Sequence, residues 1–189
     1  MQTKELQESK QQLRKYIASL KKSYKKTTLL DLSEEIMKRL EETELFRQAS
    51  CIALYNAIPG EVQTAGFLEK WFEKKQLLLP LIVGDDLRLL PYNGTDSLKP
   101  GIFGIMEPIE QETTVDESEI DLIIVPGVAF DRQLNRMGRG KGYYDRLLST
   151  LQAPKIGICF DFQLQDTVPT ESFDKKMDMI ITEKEIVNG

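Results

Sequence analysis

The chain is predicted to fold as an α/β protein, a three-layer α/β/α arrangement around a mainly parallel sheet. Three observations carry that prediction. Apolar runs of strand length alternate with segments of helical spacing. The best runs, CIALY, LLLPLIV and IDLIIV, are continuously apolar rather than alternating, the pattern of strands buried on both faces. Several runs end in glycine or proline turns that lead into the next helical segment. At 189 residues, with no internal repeat and no low-complexity linker, the whole of 1–189 is expected to form one domain around a real core.

Residues 4–26 place Leu6, Leu13, Ile17, Leu20 and Tyr24 on one helical stripe, so a helix docks there by that face. A second helix is expected over about 31–47, capped by Asp31 or Ser33, with Leu32, Ile36 and Leu40 inward. CIALY, 51–55, is the first strand. After a turn at Ile58-Pro59-Gly60, Thr64 caps a helix that turns Phe67, Leu68, Trp71 and Phe72 inward. LLLPLIV, 77–83, is a buried strand that Pro80 places near an edge or bulge, and 85–92 is its hairpin partner. From Asn93 to Glu119 turn residues dominate, leaving loops and at most a short extended piece around 102–105. IDLIIVPG is the clearest strand, followed by a glycine-rich loop, a helix over about 143–151, a strand at 155–160 and a last strand at 178–182.

Composition narrows the chemistry. The net charge of −5 argues against general attraction to nucleic acid or an anionic membrane, so any anion site must be local. No run is long and apolar enough to span a bilayer, and the polar start MQTKELQESKQQLRK is unlike a secretory signal, so a cytoplasmic location is expected. Cys51 and Cys159 each sit in an apolar run and read as buried core residues. Histidine is absent, which excludes histidine bases, histidine-dependent triads and histidine-ligated metals.

The chemistry concentrates in NRMGRGKGYYDRLL, 135–148. Glycines at 138, 140 and 142 alternate with cations at 136, 139 and 141, then two tyrosines and an aspartate follow. Glycines so spaced let backbone bend sharply or approach a ligand closely. Between a buried strand and a helix start they form a cradle of N–H groups for phosphate. Arg136, Arg139 and Lys141 add full charges. Asp145, in the first helical turn, is a cap or a magnesium ligand. The pattern is neither the Walker spacing nor GxGxxG, so a different nucleotide loop is implied. Lys10 falls inside the apolar stripe of the first helix, with Arg14 one turn on; either an anion sits between them or both snorkel to water. Asn56 and Glu61 follow the first strand, where α/β proteins hold ligands.

GRGKGYYDRLL after IDLIIVPGVAFD, with PGEVQT, FGIMEP and MDMIITE in order along the chain, resembles the 5-formyltetrahydrofolate cyclo-ligase (5,10-methenyltetrahydrofolate synthetase) family. The resemblance implies a fold of the kind shared by sugar-phosphate isomerases and coenzyme A transferases. It implies ATP- and magnesium-dependent conversion of 5-formyltetrahydrofolate, free or polyglutamylated, to 5,10-methenyltetrahydrofolate with ADP and phosphate released. It makes Lys10 and Arg14 ATP contacts, and the run Arg136, Met137, Gly138, Arg139, Gly140, Lys141, Gly142, Tyr143 and Tyr144 the nucleotide loop. Asn56, Glu61 and Phe103 become substrate-binding positions, with Tyr143 or Tyr144 stacking on the folate, and Asp145 and Asp178 magnesium ligands. One departure is visible: many relatives carry histidine before the aspartate where this chain reads Phe173-Asp174, which argues against a role for that site.

Phosphoryl transfer from ATP to the formyl oxygen would give a phosphorylated imidate, closed by the second folate nitrogen as phosphate leaves. Such a step needs positioning and charge neutralisation more than a strong base, which suits a chain without histidine. Lys141, Arg139 and Arg14 are the catalytic candidates. Small-molecule substrates and no nucleic acid or membrane partner are expected, with a monomer favoured. Two other readings stand beside this one: a sugar-phosphate isomerase or acyl transferase of the same fold, and a noncatalytic RNA-binding module using RGRGKGYY.

Overall fold

The computed structural model describes residues 2–101, 105–110 and 115–189. Its centre is a seven-stranded sheet. In chain order the strands are β1 (Cys51–Ala53), β2 (Gln76–Val83), β3 (Asp86–Pro91), β6 (Leu122–Val125), β9 (Lys155–Ile158), β11 (Met179–Ile181) and β12 (Ile186–Asn188). In space they run β12-β11-β9-β6-β1-β2-β3. The pairs from β11 through β2 are parallel, and both outer strands are antiparallel hairpin partners. Short extended pieces β4 (Leu98–Pro100) and β5 (Met106–Pro108) pair separately, as do β7 (Ala129–Asp131), β8 (Arg136–Met137) and β10 (Leu164–Gln165).

The continuously apolar runs are two interleaved sets. Ile52, Leu77, Leu79, Leu122, Ile124, Ile156 and Ile158 face one core with α2 (Lys26–Glu42), α3 (Glu44–Gln48) and α4 (Ala65–Trp71). Cys51, Ala53, Leu78, Ile123 and Val125 face the other with α5 (Tyr143–Thr150) and Phe130. Successive strand residues point to opposite faces, so a strand covered on both sides must be apolar throughout. Both cysteines are free and buried, and burial raises the Cys51 thiol to about 11. Among the described residues no helix is long and apolar enough to cross a membrane.

The expected first helix is α1 (Gln2–Lys22), and the second begins at Lys26, before the expected start at 31. Lys25 occupies its N-cap without a side-chain bond, so neither Asp31 nor Ser33 caps it. Ser33 lies inside the helix, buried, donating back to Leu29 O and accepting from Gln63 N. Thr64 precedes α4, but its hydroxyl makes no cap bond; it accepts from Ala57 N and donates to Tyr55 O, closing the turn after β1. Pro80 sits beyond Leu78, the last β2 residue paired with β1, and its nitrogen faces that side rather than β3, so its missing N–H interrupts neither ladder. The β7–β8 hairpin, β10 and β12 were not apparent as strands in the sequence. All are two or three residues long, too short for a pattern to register.

Candidate functional site

A cleft of about 630 Å³ opens outside the carboxyl ends of β1 and β6. One wall is α1, the floor is the turn after β1 and Pro126-Gly127 after β6, and the far wall is the β2–β3 hairpin with Met106. This is where a parallel sheet leaves backbone groups and helix starts free to meet a ligand.

The glycine loop enters through the β7–β8 hairpin. Asp131, fully buried, accepts from the N–H groups of Gln133, Asn135 and Val168 and from the Asn135 amide, pinning that hairpin. Gly140 and Gly142 then take φ of +93° and +72°, the left-handed region where a side chain is strained. A Cβ on Gly140 would also stand 3.3 Å from the Arg14 guanidinium, a tight contact that the arginine would have to ease. Arg14 Nε donates to Gly138 O at 3.0 Å, stapling α1 to the loop. At the other end Arg146 donates to Lys141 O, Asp85 O and Asp86 Oδ1, tying the loop to the β2–β3 turn.

The loop cations divide into two kinds. Arg136 is buried: Nη2 donates to Asp145 Oδ1 at 2.9 Å, Nη1 to Pro126 O at 3.2 Å, and the group lies over the Tyr144 ring. Its Nε is buried without a hydrogen-bond partner among the described residues. Its charge is therefore spent inside the protein, against the expectation that it meets a ligand with the others. Lys141 is exposed and makes no ion pair among the described residues. Arg139, 56% exposed, donates to Glu61 Oε1 at 2.8 Å from Nη2 and 3.3 Å from Nε. Glu61 Oε2 in turn accepts from Ile58 N. Lys21 packs against Gly60 beside this pair; burial and then Arg139 lower its pKa, with Glu61 opposing.

Asn56 donates to Met106 O at 3.0 Å, joining the floor to the far wall. Pro80, Ile82, Leu87 and Tyr143 line that wall and give it an apolar surface. Burial, then Glu61, raises the Tyr144 hydroxyl well above its ordinary value, with Arg136 opposing, so it stays protonated at neutral pH. Phe103 lies outside the described residues.

On the α1 wall Lys10 is only 6% exposed. Its ammonium donates to Glu171 Oε2 and Asp174 Oδ2, both at 2.8 Å. Burial disfavours the charged form, but Asp174 and Glu171 outweigh it and raise the pKa. The intrusion of Lys10 into the apolar stripe is thus answered by two carboxylates. Those carboxylates were missed; the only signal was a lysine in a position that demands a buried partner. Phe173 and Asp174, the pair whose departure from the relatives' histidine argued against a role, both line the cleft.

Asp178 is not brought to the cleft. It precedes β11 at the amino ends of the parallel strands, where Oδ2 accepts from Lys155 N at 2.7 Å. The cleft lies at the carboxyl ends, so Asp145 and Asp178 occupy opposite ends of the sheet and cannot share one ion. Among the described residues no group of three or more histidine, cysteine, aspartate or glutamate side chains is placed to hold a metal.

The chain matches the model of the 5-formyltetrahydrofolate cyclo-ligase family over residues 6–183. It is 31% identical over 176 residues to a probable 5-formyltetrahydrofolate cyclo-ligase of Schizosaccharomyces pombe, covering 83% of this chain and 86% of the relative. Identity to the Haemophilus influenzae 5-formyltetrahydrofolate cyclo-ligase is 30% over 182 residues, covering 92% and 95%. Among solved structures, the NMR structure of Aquifex aeolicus 5,10-methenyltetrahydrofolate synthetase is similar with a TM-score of 0.86 at 35% identity, covering 95% of this chain and 92% of that one.

Proposed function

The chain belongs to the 5-formyltetrahydrofolate cyclo-ligase family, whose members convert 5-formyltetrahydrofolate to 5,10-methenyltetrahydrofolate, and we propose that the cleft between α1 and the glycine loop carries out that ligation with ATP. The single observation that carries this reading is the loop itself. Two left-handed glycines open the backbone beside the start of α5, and Lys141 is exposed with no ion pair among the described residues. That is a site for the phosphates of a nucleotide.

The formyl oxygen takes the γ-phosphoryl group of ATP and ADP departs. The second folate nitrogen then attacks the activated carbon, the C–O bond breaks and phosphate leaves. Lys141 and the loop N–H groups stabilise charge on the moving phosphoryl group. Arg139 and Arg14 flank it from the loop and from α1. The residues fit magnesium that travels with the nucleotide, a mode that uses one or two carboxylates. Asp145 is the candidate ligand, sharing its charge with Arg136, and the ion would neutralise phosphate oxygens. Glu61 and Asn56 hold folate donors and acceptors on the floor, and Tyr143 with the apolar wall receives a flat ring. Lys10, already paired with two carboxylates, braces the wall. One domain working in the cytoplasm on free or polyglutamylated folate completes the proposal.

The test is the near-ultraviolet absorbance of methenyltetrahydrofolate after mixing protein, 5-formyltetrahydrofolate and magnesium with and without ATP. A rise that requires ATP is expected. A folded protein giving no rise overturns the assignment of the cleft.

A further inference from the structure

Phe173 is an apolar ring that the core does not use. It is 59% exposed, more than any other large hydrophobic side chain among the described residues, yet it lines the cleft. Its position is held firmly. Glu171 N donates to Asp174 Oδ2, Asp174 N donates to Glu171 O, and both carboxylates grip Lys10 of α1 on either side of it in sequence. The Lys10 ammonium lies 5.9 Å from the ring centroid.

The charges around the ring decide what it can receive. Glu171 and Asp174 together outweigh Lys10 by one negative charge, so this end of the cleft repels phosphate and suits a neutral, flat group. The exocyclic amine of such a group would find the Glu171 carboxylate as acceptor. The Gln7 amide stands beside it, making only long bonds of 3.3 and 3.4 Å to Glu171, and offers a donor and an acceptor side by side. A paired donor and acceptor is what an amide uses to read the edge of adenine. The phosphate cradle is close, since Arg14 bonds Gly138 one helical turn from Lys10.

We propose that Phe173 is the stacking platform for the adenine base of the nucleotide, with Gln7 and Glu171 at the base's polar edge. This rests on the reading of the glycine loop as the triphosphate site. The folate rings then belong to the opposite end, between Glu61 and the apolar β2–β3 wall.

The experiment measures binding of ATP, and of inorganic triphosphate as a base-free probe, by calorimetry on the full chain and on Phe173→Ala and Phe173→Trp. The KM for 5-formyltetrahydrofolate is measured alongside. Stacking predicts that Phe173→Ala weakens ATP about tenfold, as the loss of one base–aromatic contact does. Inorganic triphosphate and the folate KM should stay within about twofold of wild type, and Phe173→Trp should restore ATP binding. Equal weakening of ATP and triphosphate would mean that Phe173 acts through Lys10 and overturns the proposal. A change confined to the folate KM would make the ring a folate platform and also overturns it. Wild-type protein that binds neither ATP nor triphosphate would instead sink the reading of the loop.

Discussion

Replacing Lys10 by Met should undock α1 without unfolding the sheet. The Lys10 ammonium makes two bonds of 2.8 Å, and the three side chains involved are 7%, 16% and 10% exposed. Removing one partner from a buried ion pair costs about 3–5 kcal/mol, and the remaining exposure of the carboxylates favours the lower end. What else holds α1 is small. Ile17, 1% exposed, contributes about 1.5–3 kcal/mol, and half-buried Leu13 and Leu20 add less. The bond from Arg14 to Gly138 O contributes about 1.5–3 kcal/mol. A loss near 3 kcal/mol is therefore comparable to the docking energy, and the two stranded carboxylates regain water by releasing the helix. Lys10 has a raised pKa, so its contribution is complete below its ordinary value of 10.5 and is lost only as pH rises through the higher folded value. The variant thus differs from wild type throughout the neutral range. Hydrogen exchange is the assay: amides of residues 8–20 should exchange about a hundredfold faster at pH 7, while those of β6 and β9 keep their protection. Unchanged exchange in α1 would refute the reasoning.

Three further outcomes test the site. Lys141→Ala should lower kcat by about a hundredfold or more, the effect of removing a group that stabilises transition-state charge. Its melting temperature should barely move, because an exposed lysine of this kind changes stability by no more than about 0.5 kcal/mol; an unchanged kcat would remove Lys141 from the chemistry. Glu61→Gln should raise the folate KM several-fold and also free Arg139, so a rise in the ATP KM without one for folate would count against Glu61 as a folate contact. Asp178→Ala, which removes the acceptor for Lys155 N, should lower stability by about 1 kcal/mol while leaving the magnesium dependence of the rate unaltered. A shifted magnesium requirement would return Asp178 to the metal.

Long, strongly patterned segments were legible. The runs that became β1, β2, β6 and β11 are apolar because each strand feeds both cores, and the stripe with Ile17 at its centre marked α1. The boundary of α2 was misread because its N-cap is Lys25, with no side-chain bond to leave a trace, while Ser33 looked like a cap and was needed inside. The loop at 138–142 was legible for a different reason: glycine at a left-handed position is a local requirement, visible without knowing what surrounds it.

Local chemistry therefore determined the class of fold, the left-handed glycines of the loop and the exclusion of histidine mechanisms, because each depends on residues adjacent in the chain or on composition. The partners of the charges were decided only in three dimensions. Arg136 turns inward to Asp145, Arg139 crosses to Glu61, and Lys10 finds Glu171 and Asp174 more than 160 positions away. Asp178, which the resemblance made a magnesium ligand beside Asp145, bonds Lys155 N at the other end of the sheet. A charge carries no sign in the sequence of the group that will neutralise it, and the direction of the strand beside it sets which end of the sheet it reaches.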